Sequence, residues 1–148
     1  MSTIDCGDRA QLTADRTGGP LRSDPDTVTN ASAFIDALLR RDFGQVERTL
    51  APQVRFRALV PSGIREARSA DGATTWLRTW FGASEDFKVL DSGIEELAGR
   101  WHFWYRFALT REGRPTLIAQ EGFCDMTPSG ITDVALVCSG FRPASQPT

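Results

Sequence analysis

Three side chains in neighbouring segments of this chain have types that could carry proton transfer: His102, Tyr105 and Glu121. A carboxyl group in apolar surroundings loses hydration, which raises its pKa and lets it serve as a general acid or base near neutral pH. A tyrosine hydroxyl can donate a hydrogen bond to a ligand carbonyl, and an imidazole titrates near neutral pH. His102 is the single histidine, and no carboxylates cluster around it in the sequence, so no metal site is predicted.

The aromatic run from Trp101 to Leu109 is the element that positions two of these side chains. Successive side chains of a β-strand point to opposite faces. One face of this run therefore carries Phe103, Tyr105 and Phe107, and the other carries His102 and Trp104. The alternation predicts a long strand whose apolar face covers a core or lines a pocket, with the histidine on the opposite face from the tyrosine.

The rest of the chain supplies helices before this strand and hairpins around it. Hydrophobic spacing predicts helices over about residues 24–41 and 43–50 and a third after Ser69, with Trp76 and Trp80 on its apolar stripe. A short strand is predicted over residues 54–60. Long strands are predicted over residues 87–97, 100–111, 115–126 and 131–141, separated by turn residues such as Glu112-Gly113. This order predicts an α+β domain in which a cone-shaped, curved antiparallel β-sheet packs on three N-terminal helices.

Length, charge and cysteine content exclude several classes of function. The 148 residues predict a flexible leader over residues 1–23, one domain over residues 24–143 and a frayed tail over residues 144–148. A net charge of −2 and the lack of a long apolar run argue against nucleic-acid and membrane partners. The three cysteines have no CxxC spacing, which predicts reduced thiols and a cytoplasmic location. No cofactor is predicted.

Four stretches of the sequence carry a resemblance to a known family. They are AFIDALLRRDF at 33–43, LAPQVRF at 50–56, WLRTWF at 76–81 and GFCDMTPSGI at 122–131. Together with the order of elements they resemble the nuclear transport factor 2-like superfamily over residues 27–142. This superfamily includes ketosteroid isomerases, SnoaL-like polyketide cyclases and limonene-type epoxide hydrolases. The resemblance implies a pocket between the concave sheet face and the helices, and a homodimer formed through the convex face.

The isomerase branch of this superfamily implies three positions that can be compared residue by residue. Its mechanism uses an Asp base and an oxyanion hole made of a Tyr and a protonated Asp. The motifs place the helix tyrosine at Phe34, the base at Ala58 and the oxyanion-hole acid at Glu121. Phenylalanine and alanine cannot transfer protons, so we do not expect a ketosteroid isomerase. Glu121 alone keeps a carboxyl group.

The resemblance also turns the strand face that carries Glu121 and Phe123 toward the pocket. On this basis the pocket is expected to take a small, mostly apolar molecule, such as a polyketide or terpenoid-type intermediate. The predicted lining residues are Phe34, Phe56, Ala58, Trp76, Trp80, Phe103, Phe107, Phe123, Leu136 and Cys138.

Each candidate residue also has a purely structural alternative. Glu121 could be exposed or paired with arginine, and an exposed Glu121 outside any cavity contradicts a buried-acid mechanism. Tyr105 could be a core residue bonded to a backbone carbonyl. His102 fits a surface or interface unless a β-bulge turns it inward. Cys138 fits a buried thiol without a histidine partner, and Asp133 faces outward unless the register of the last strand differs.

Two functions are therefore kept open. The first is a cofactor-independent cyclase or isomerase with Glu121 as acid or base, Tyr105 as hydrogen-bond donor and His102 as a third candidate. The alternative is a non-catalytic small-ligand-binding or dimerising accessory domain, or an epoxide hydrolase-like enzyme. The outward face is expected to bind a second copy of the chain through apolar side chains at Trp104, Ala108, Ala135 and Val137.

Overall fold

The computed structural model of this chain describes residues 25–144, with side chains from residue 30 onward. The helices are α1 (Pro25–Leu39), α2 (Phe43–Thr49) and α3 (Ala70–Phe81). The strands are β1 (Leu50–Val60), β2 (Gly63–Ala67), β3 (Glu85–Leu97), β4 (Arg100–Arg111), β5 (Arg114–Thr127), β6 (Gly130–Cys138) and β7 (Arg142–Pro143). The predicted leader and the last four residues of the predicted tail lie outside the described residues.

The strands form one open sheet in the order β2-β1-β6-β5-β4-β3, and β7 pairs with the start of β5. The pairing of β1 with β6 is parallel, and the other pairings are antiparallel. The predicted α+β class, with three helices on a mostly antiparallel sheet, is confirmed. Within the described range, no helix has both the length and the apolar character needed to cross a bilayer.

Local sequence signals explain where several of these elements start and turn. Asp42 and Ser69 cap α2 and α3, because their side-chain oxygens accept hydrogen bonds from the backbone N–H groups of Gln45 and Gly72. The hairpins at Ala98-Gly99 and Glu112-Gly113 each have two central residues with positive φ, at 53° and 84° and at 56° and 76°. Two-residue turns of this kind match the twist of antiparallel strands and fix their register.

The structure adds two strands that the sequence pattern did not indicate. β2 pairs with β1 directly after the turn at Pro61 and Ser62, and β7 is a two-residue pairing with β5. β1 begins at Leu50, immediately after α2, and β6 ends at Cys138 rather than near residue 141. Both added strands are short, so neither contains enough residues to show a clear alternation.

The hydrophobic core lies between the concave face of the sheet and the three helices. Its centre is a set of rings with little or no exposed surface. Phe103 meets Phe34 edge to face at 6.1 Å between ring centroids, and Tyr105 stacks on Phe107 at 4.9 Å. Phe81 from α3 meets Phe107 at 5.1 Å. The predicted inward face of β4 is thus confirmed, and its aromatic side chains pack against one another and the helices.

Candidate functional site

Polar side chains of the inner face meet where β4 pairs with β5. Tyr105 lies directly opposite Gln120, and its hydroxyl donates a hydrogen bond of 2.5 Å to Gln120 Oε1. Both side chains are buried, and Gln120 Nε2 finds no acceptor within the described part of the chain. Cys138 lies opposite Gln120 on β6. The interior therefore holds a hydroxyl, an amide and a thiol among aromatic rings.

The prediction that Glu121 faces this interior is wrong. Directly opposed residues of an antiparallel pair share a face of the sheet. Because Tyr105 points inward, its partner Gln120 points inward too, and Glu121 shares the outer face with Trp104. The Glu121 side chain is 61% exposed. The mechanism that used Glu121 as a buried acid or base is therefore contradicted.

The same offset of one residue along β5 corrects two further placements. Phe123 is 36% exposed on the outer face, so it does not line the interior. Counting along the strand from an inward Glu121 predicts an outward Cys124, but Cys124 is fully buried on the inner face. Cys124 and Cys138 are both free thiols, as expected for residues that do not face each other across the strands.

The other predicted lining residues lie in the core or against it. Trp76 and Trp80 are half-buried, and the Trp76 indole donates to the carbonyl of Glu66 at 3.2 Å. Asp133 faces outward, as the alternation of the last long strand predicted. Its Oδ1 lies 3.7 Å from Arg57 Nη2. The remaining members are buried: Phe34, Phe56, Ala58, Phe103, Phe107, Leu136 and Cys138.

Burial keeps two titratable groups of the inner face, Tyr105 and Cys124, protonated near neutral pH. Burial raises the pKa of Tyr105 far above its usual range, so its hydroxyl stays protonated and acts as a donor. Burial also raises the pKa of the Cys124 thiol to about 12, which removes it as a nucleophile. Among the described residues, the buried polar side chains are those of Thr49, Thr74, Thr116 and Gln120, with no carboxyl group.

A second polar cluster lies on the outer face and is centred on His102. Its Nε2 is 2.7 Å from Glu121 Oε2, and its Nδ1 is 3.1 Å from Glu95 Oε2. The ring lies between those of Trp104 and Phe123, with centroids 5.2 and 5.1 Å away. The predicted outward orientation of His102 is confirmed. The structure joins it to Glu121 on the side of the sheet away from Tyr105.

Apolar side chains lie around this cluster on the outer face. We define the outer patch as the exposed large side chains of Leu59, Ile64, Leu117, Phe123 and Val137 together with Trp104 and Ala135. A groove of about 520 Å³ runs through it. The Trp104 indole lies against Gly93 on β3, where any larger residue would collide with the ring.

Comparison with known structures places this architecture. No family model and no curated protein sequence matches the chain. The solved structures that resemble it include an LEH-like epoxide hydrolase of M. tuberculosis, with a TM-score of 0.58 and 18% identity over 77% of this chain and 83% of that one. A polyketide cyclase candidate from Xanthomonas campestris matches with a TM-score of 0.59 and 17% identity over 76% of this chain and 89% of that one. A SnoaL-like polyketide cyclase candidate from Shewanella denitrificans matches with a TM-score of 0.61 and 10% identity over 78% of this chain and 92% of that one.

This chain has the nuclear transport factor 2-like fold. Identities between 10% and 18% establish that fold and leave the chemistry to the residues of this chain. The resemblance noted in the sequence is thus confirmed at the level of architecture. The inward orientation that the resemblance implied for Glu121 and Phe123 on β5 is wrong.

Gln120 is the interior residue that the sequence interpretation missed, and a signal for it was present. The turn at Glu112-Gly113 pairs Arg111 with Arg114. Counting back from that pair along both strands puts Gln120 opposite Tyr105. In this nuclear transport factor 2-like fold, the length of a turn therefore gave better evidence for the register than alignment of motifs.

Because the outer cluster holds the single histidine, the pKa of His102 reports on the hydrogen bonds within this cluster. The pKa of His102 is raised, mainly by the hydrogen bond to Glu121. Burial lowers this pKa, and the hydrogen bond to Glu95 raises it further. A raised pKa means that the bonds of protonated His102 contribute fully to the free energy of unfolding below about pH 6.5. This contribution is lost as the pH rises through the pKa that His102 has in the folded chain. We expect Glu121→Gln to lower the His102 pKa in an NMR titration of the tag-free protein, whose single histidine gives one set of ring signals.

Asp125→Asn is the matched control for this titration. Asp125 also faces outward on β5, but its carboxylate pairs with Arg100 at 2.8 Å. The control should leave the His102 pKa close to that of the unmodified chain. An unmodified His102 that titrates at or below the ordinary histidine value, or one that ignores Glu121→Gln, would contradict the bonding described for this cluster.

Proposed function

We propose that this chain is a dimerising domain of nuclear transport factor 2-like fold, in which the outer patch binds a second copy. The observation that carries this proposal is the exposure of five large hydrophobic side chains on one face of the sheet. Ile64, Leu59 and Val137 are direct neighbours across three strands, and apolar surface of this kind costs free energy in water and marks a candidate interaction site. A two-fold symmetric interface uses the same patch twice, so one apolar face suffices.

The loss of the buried acid supports a non-catalytic role over the cyclase or isomerase first considered. With Glu121 on the outer face, the described interior offers hydrogen-bonding groups but no carboxyl group to transfer protons.

Sedimentation equilibrium tests the proposed dimer directly. We expect a mass about twice the 16.3 kDa of one chain at micromolar concentration. A monomer at every accessible concentration would contradict the proposal.

A second candidate function is the binding of a small apolar molecule that carries a carbonyl or epoxide oxygen. The observation that favours it is the Tyr105–Gln120 pair, because Gln120 Nε2 is buried and lacks an acceptor among the described residues. A buried N–H without a partner costs about 1–3 kcal/mol, which a ligand oxygen would recover. In this candidate the free Gln120 Nε2 donates to the ligand oxygen, the Tyr105 hydroxyl holds the amide in place through its bond to Gln120 Oε1, and the aromatic rings contact the apolar body of the ligand.

Gln120→Leu separates ligand binding from a purely structural interior. We expect prodan, a fluorescent naphthalene that carries a ketone, to show a saturable blue shift with the unmodified chain. Gln120→Leu removes the free amide N–H of Gln120, which should raise the Kd of prodan by about tenfold or more. Glu121→Gln, one residue away on the opposite face, is the control and should leave the Kd unchanged. Equal affinity for the Gln120→Leu variant would rule out this pair as the binding site.

A further inference from the structure

The ends of α1 and α3 enclose a basic groove on the helical side of the molecule. Its volume is about 590 Å³. Half of its lining residues are arginines and none is acidic; they are Arg40, Arg41, Phe43, Arg78, Gly82 and Ala83. Among residues 30–144, none of these three arginines forms an ion pair with a carboxylate. Positive charges that line a groove without acidic neighbours favour an anionic ligand.

Arg41 is held in this groove by the backbone and by its neighbours. It follows the end of α1 at a φ of 57°, a left-handed conformation in which glycine is the usual residue. Its Nη1 donates to the carbonyl oxygens of Phe81 and Ser84 at 3.0 and 2.8 Å. Its guanidinium lies 4.4 Å from the centroid of the Phe87 ring. Within the described residues only Nη1 is used, so Nε and Nη2 keep N–H groups for a ligand.

Arg40 and Arg78 are the exposed arginines of the groove. Arg78 lies over the ring of Phe43, 5.5 Å from its centroid, and this cation–π contact directs the guanidinium without using its N–H groups. Neither guanidinium donates a hydrogen bond to another residue in the described part of the chain. Helix C-termini attract cations in general, but Arg41 already bonds free carbonyls at the end of α3. Arg40 and Arg78 therefore keep their donors for an external acceptor.

The acidic residues closest to the groove in sequence do not line it. Asp42 accepts a hydrogen bond of 3.2 Å from a backbone N–H of α2, which it caps. Asp86 accepts a bond of 2.9 Å from the hydroxyl of Thr110 on β4. Asp36 and Glu85 are exposed, so water and salt screen their charges. The groove itself therefore presents positive charge.

We propose that Arg40, Arg41 and Arg78 bind the phosphoryl group of a small phosphate compound. The paired N–H donors of a guanidinium match phosphate oxygens. A phosphoryl group offers three oxygens and nearly two negative charges, which suits several cations better than the single charge of a carboxylate. The groove volume is typical of small-molecule sites and leaves space for an organic group beside the phosphate. This site lies on the helical side of the fold and does not depend on the proposed dimer.

Calorimetric titration with phenyl phosphate, inorganic phosphate and benzoate, at one ionic strength held with NaCl, tests this site. We expect saturable binding of phenyl phosphate with a Kd at or below about 1 mM, and binding of benzoate that is about tenfold weaker or less. Arg40→Gln and Arg78→Gln, each alone, should raise the Kd of phenyl phosphate by about tenfold or more, because each removes charge-assisted hydrogen bonds. Arg114→Gln, at the exposed β4–β5 turn, is the control and should leave this Kd unchanged.

The outcomes separate a specific site from a general effect of charge. Binding that does not saturate, equal affinity for benzoate, or an equal loss in Arg114→Gln would overturn the proposal. Tighter binding of phenyl phosphate than of inorganic phosphate assigns the site to a phosphate ester, and equal affinity assigns it to the free ion. Backbone amide NMR shifts of Gly82 and Ala83, which line the groove, should follow the same titration. Because Arg40 and Arg78 are exposed, we expect little change in the Tm of their variants.

Discussion

Val137→Glu is expected to convert the proposed dimer to a monomer without unfolding the chain. Val137 is 52% exposed in the centre of the outer patch, between Leu59 on β1 and Glu121 on β5. Two-fold symmetry buries the new carboxylate twice, once from each copy, and each lies near the existing charge of Glu121. We expect the dimer dissociation constant, measured by sedimentation equilibrium, to rise by about 100-fold or more.

Val89→Glu is the matched control for this variant. Val89 is 38% exposed, but it pairs with Phe107 and so belongs to the other face of the sheet. The control should leave the dimer intact, and both variants should keep a Tm close to that of the unmodified chain. Equal weakening by the two substitutions would indicate a non-specific effect of charge and would contradict an interface on the outer patch.

Phe107→Ala is expected to cause the largest loss of stability of any substitution considered for this chain. The Phe107 ring is fully buried and meets three others, those of Phe87 at 4.5 Å, Tyr105 at 4.9 Å and Phe81 at 5.1 Å. Removing it takes away apolar burial and leaves a cavity that rigid neighbouring rings cannot fill. Losses of about 3–5 kcal/mol are typical for such sites. Urea unfolding of the unmodified and variant chains, followed by tryptophan fluorescence, measures the difference.

Phe123→Ala gives the comparison on the opposite face of the sheet. The residue type and the substitution are the same, but Phe123 is 36% exposed on the outer patch. We expect a loss of about 1 kcal/mol in the unfolding free energy of the monomer, well below that at Phe107, together with weaker dimerisation. A loss at Phe123 as large as that at Phe107 would contradict the assignment of the two faces.

The division of work between the two faces is the main functional consequence of the structure. The inner face holds the core and one polar pair, and the outer face holds the single histidine, the two carboxylates bonded to it and most of the exposed apolar side chains. A sequence hypothesis that put Glu121 and Tyr105 in one site drew one residue from each face. The fold carries many different chemistries, so the position of one carboxyl group changes the functional conclusion.

Several features were accessible from sequence because they depend on local physics. Alternation in β4 was long enough to separate Phe103, Tyr105 and Phe107 from His102 and Trp104, whatever the neighbouring strands did. Ser69 began α3 by a side-chain hydrogen bond three residues along the chain. These signals require no knowledge of which strand pairs with which, and each was confirmed.

Other features depended on contacts between distant segments. The parallel pairing of β1 with β6 brings residues 50–59 against residues 131–137, and no local pattern encodes it. β2 and β7 have too few residues to show a period of their own. The hydrogen bond between His102 and Glu121 likewise joins side chains from two strands and exists only because Trp104 and Glu121 are directly opposed.

The sequence by itself determined that this chain is an α+β domain with an aromatic core strand of two unlike faces, because hydrophobic spacing and turn chemistry act over a few residues. Tertiary structure alone decided which face received Glu121, Phe123 and Cys124. A shift of one residue in a β-strand turns every side chain to the other face, so the alternation of β5 was readable while its direction was not. The pairing of Gln120 with Tyr105 fixed that direction, and it placed Glu121 beside His102 on the surface proposed to bind a second copy rather than beside Tyr105 in the interior.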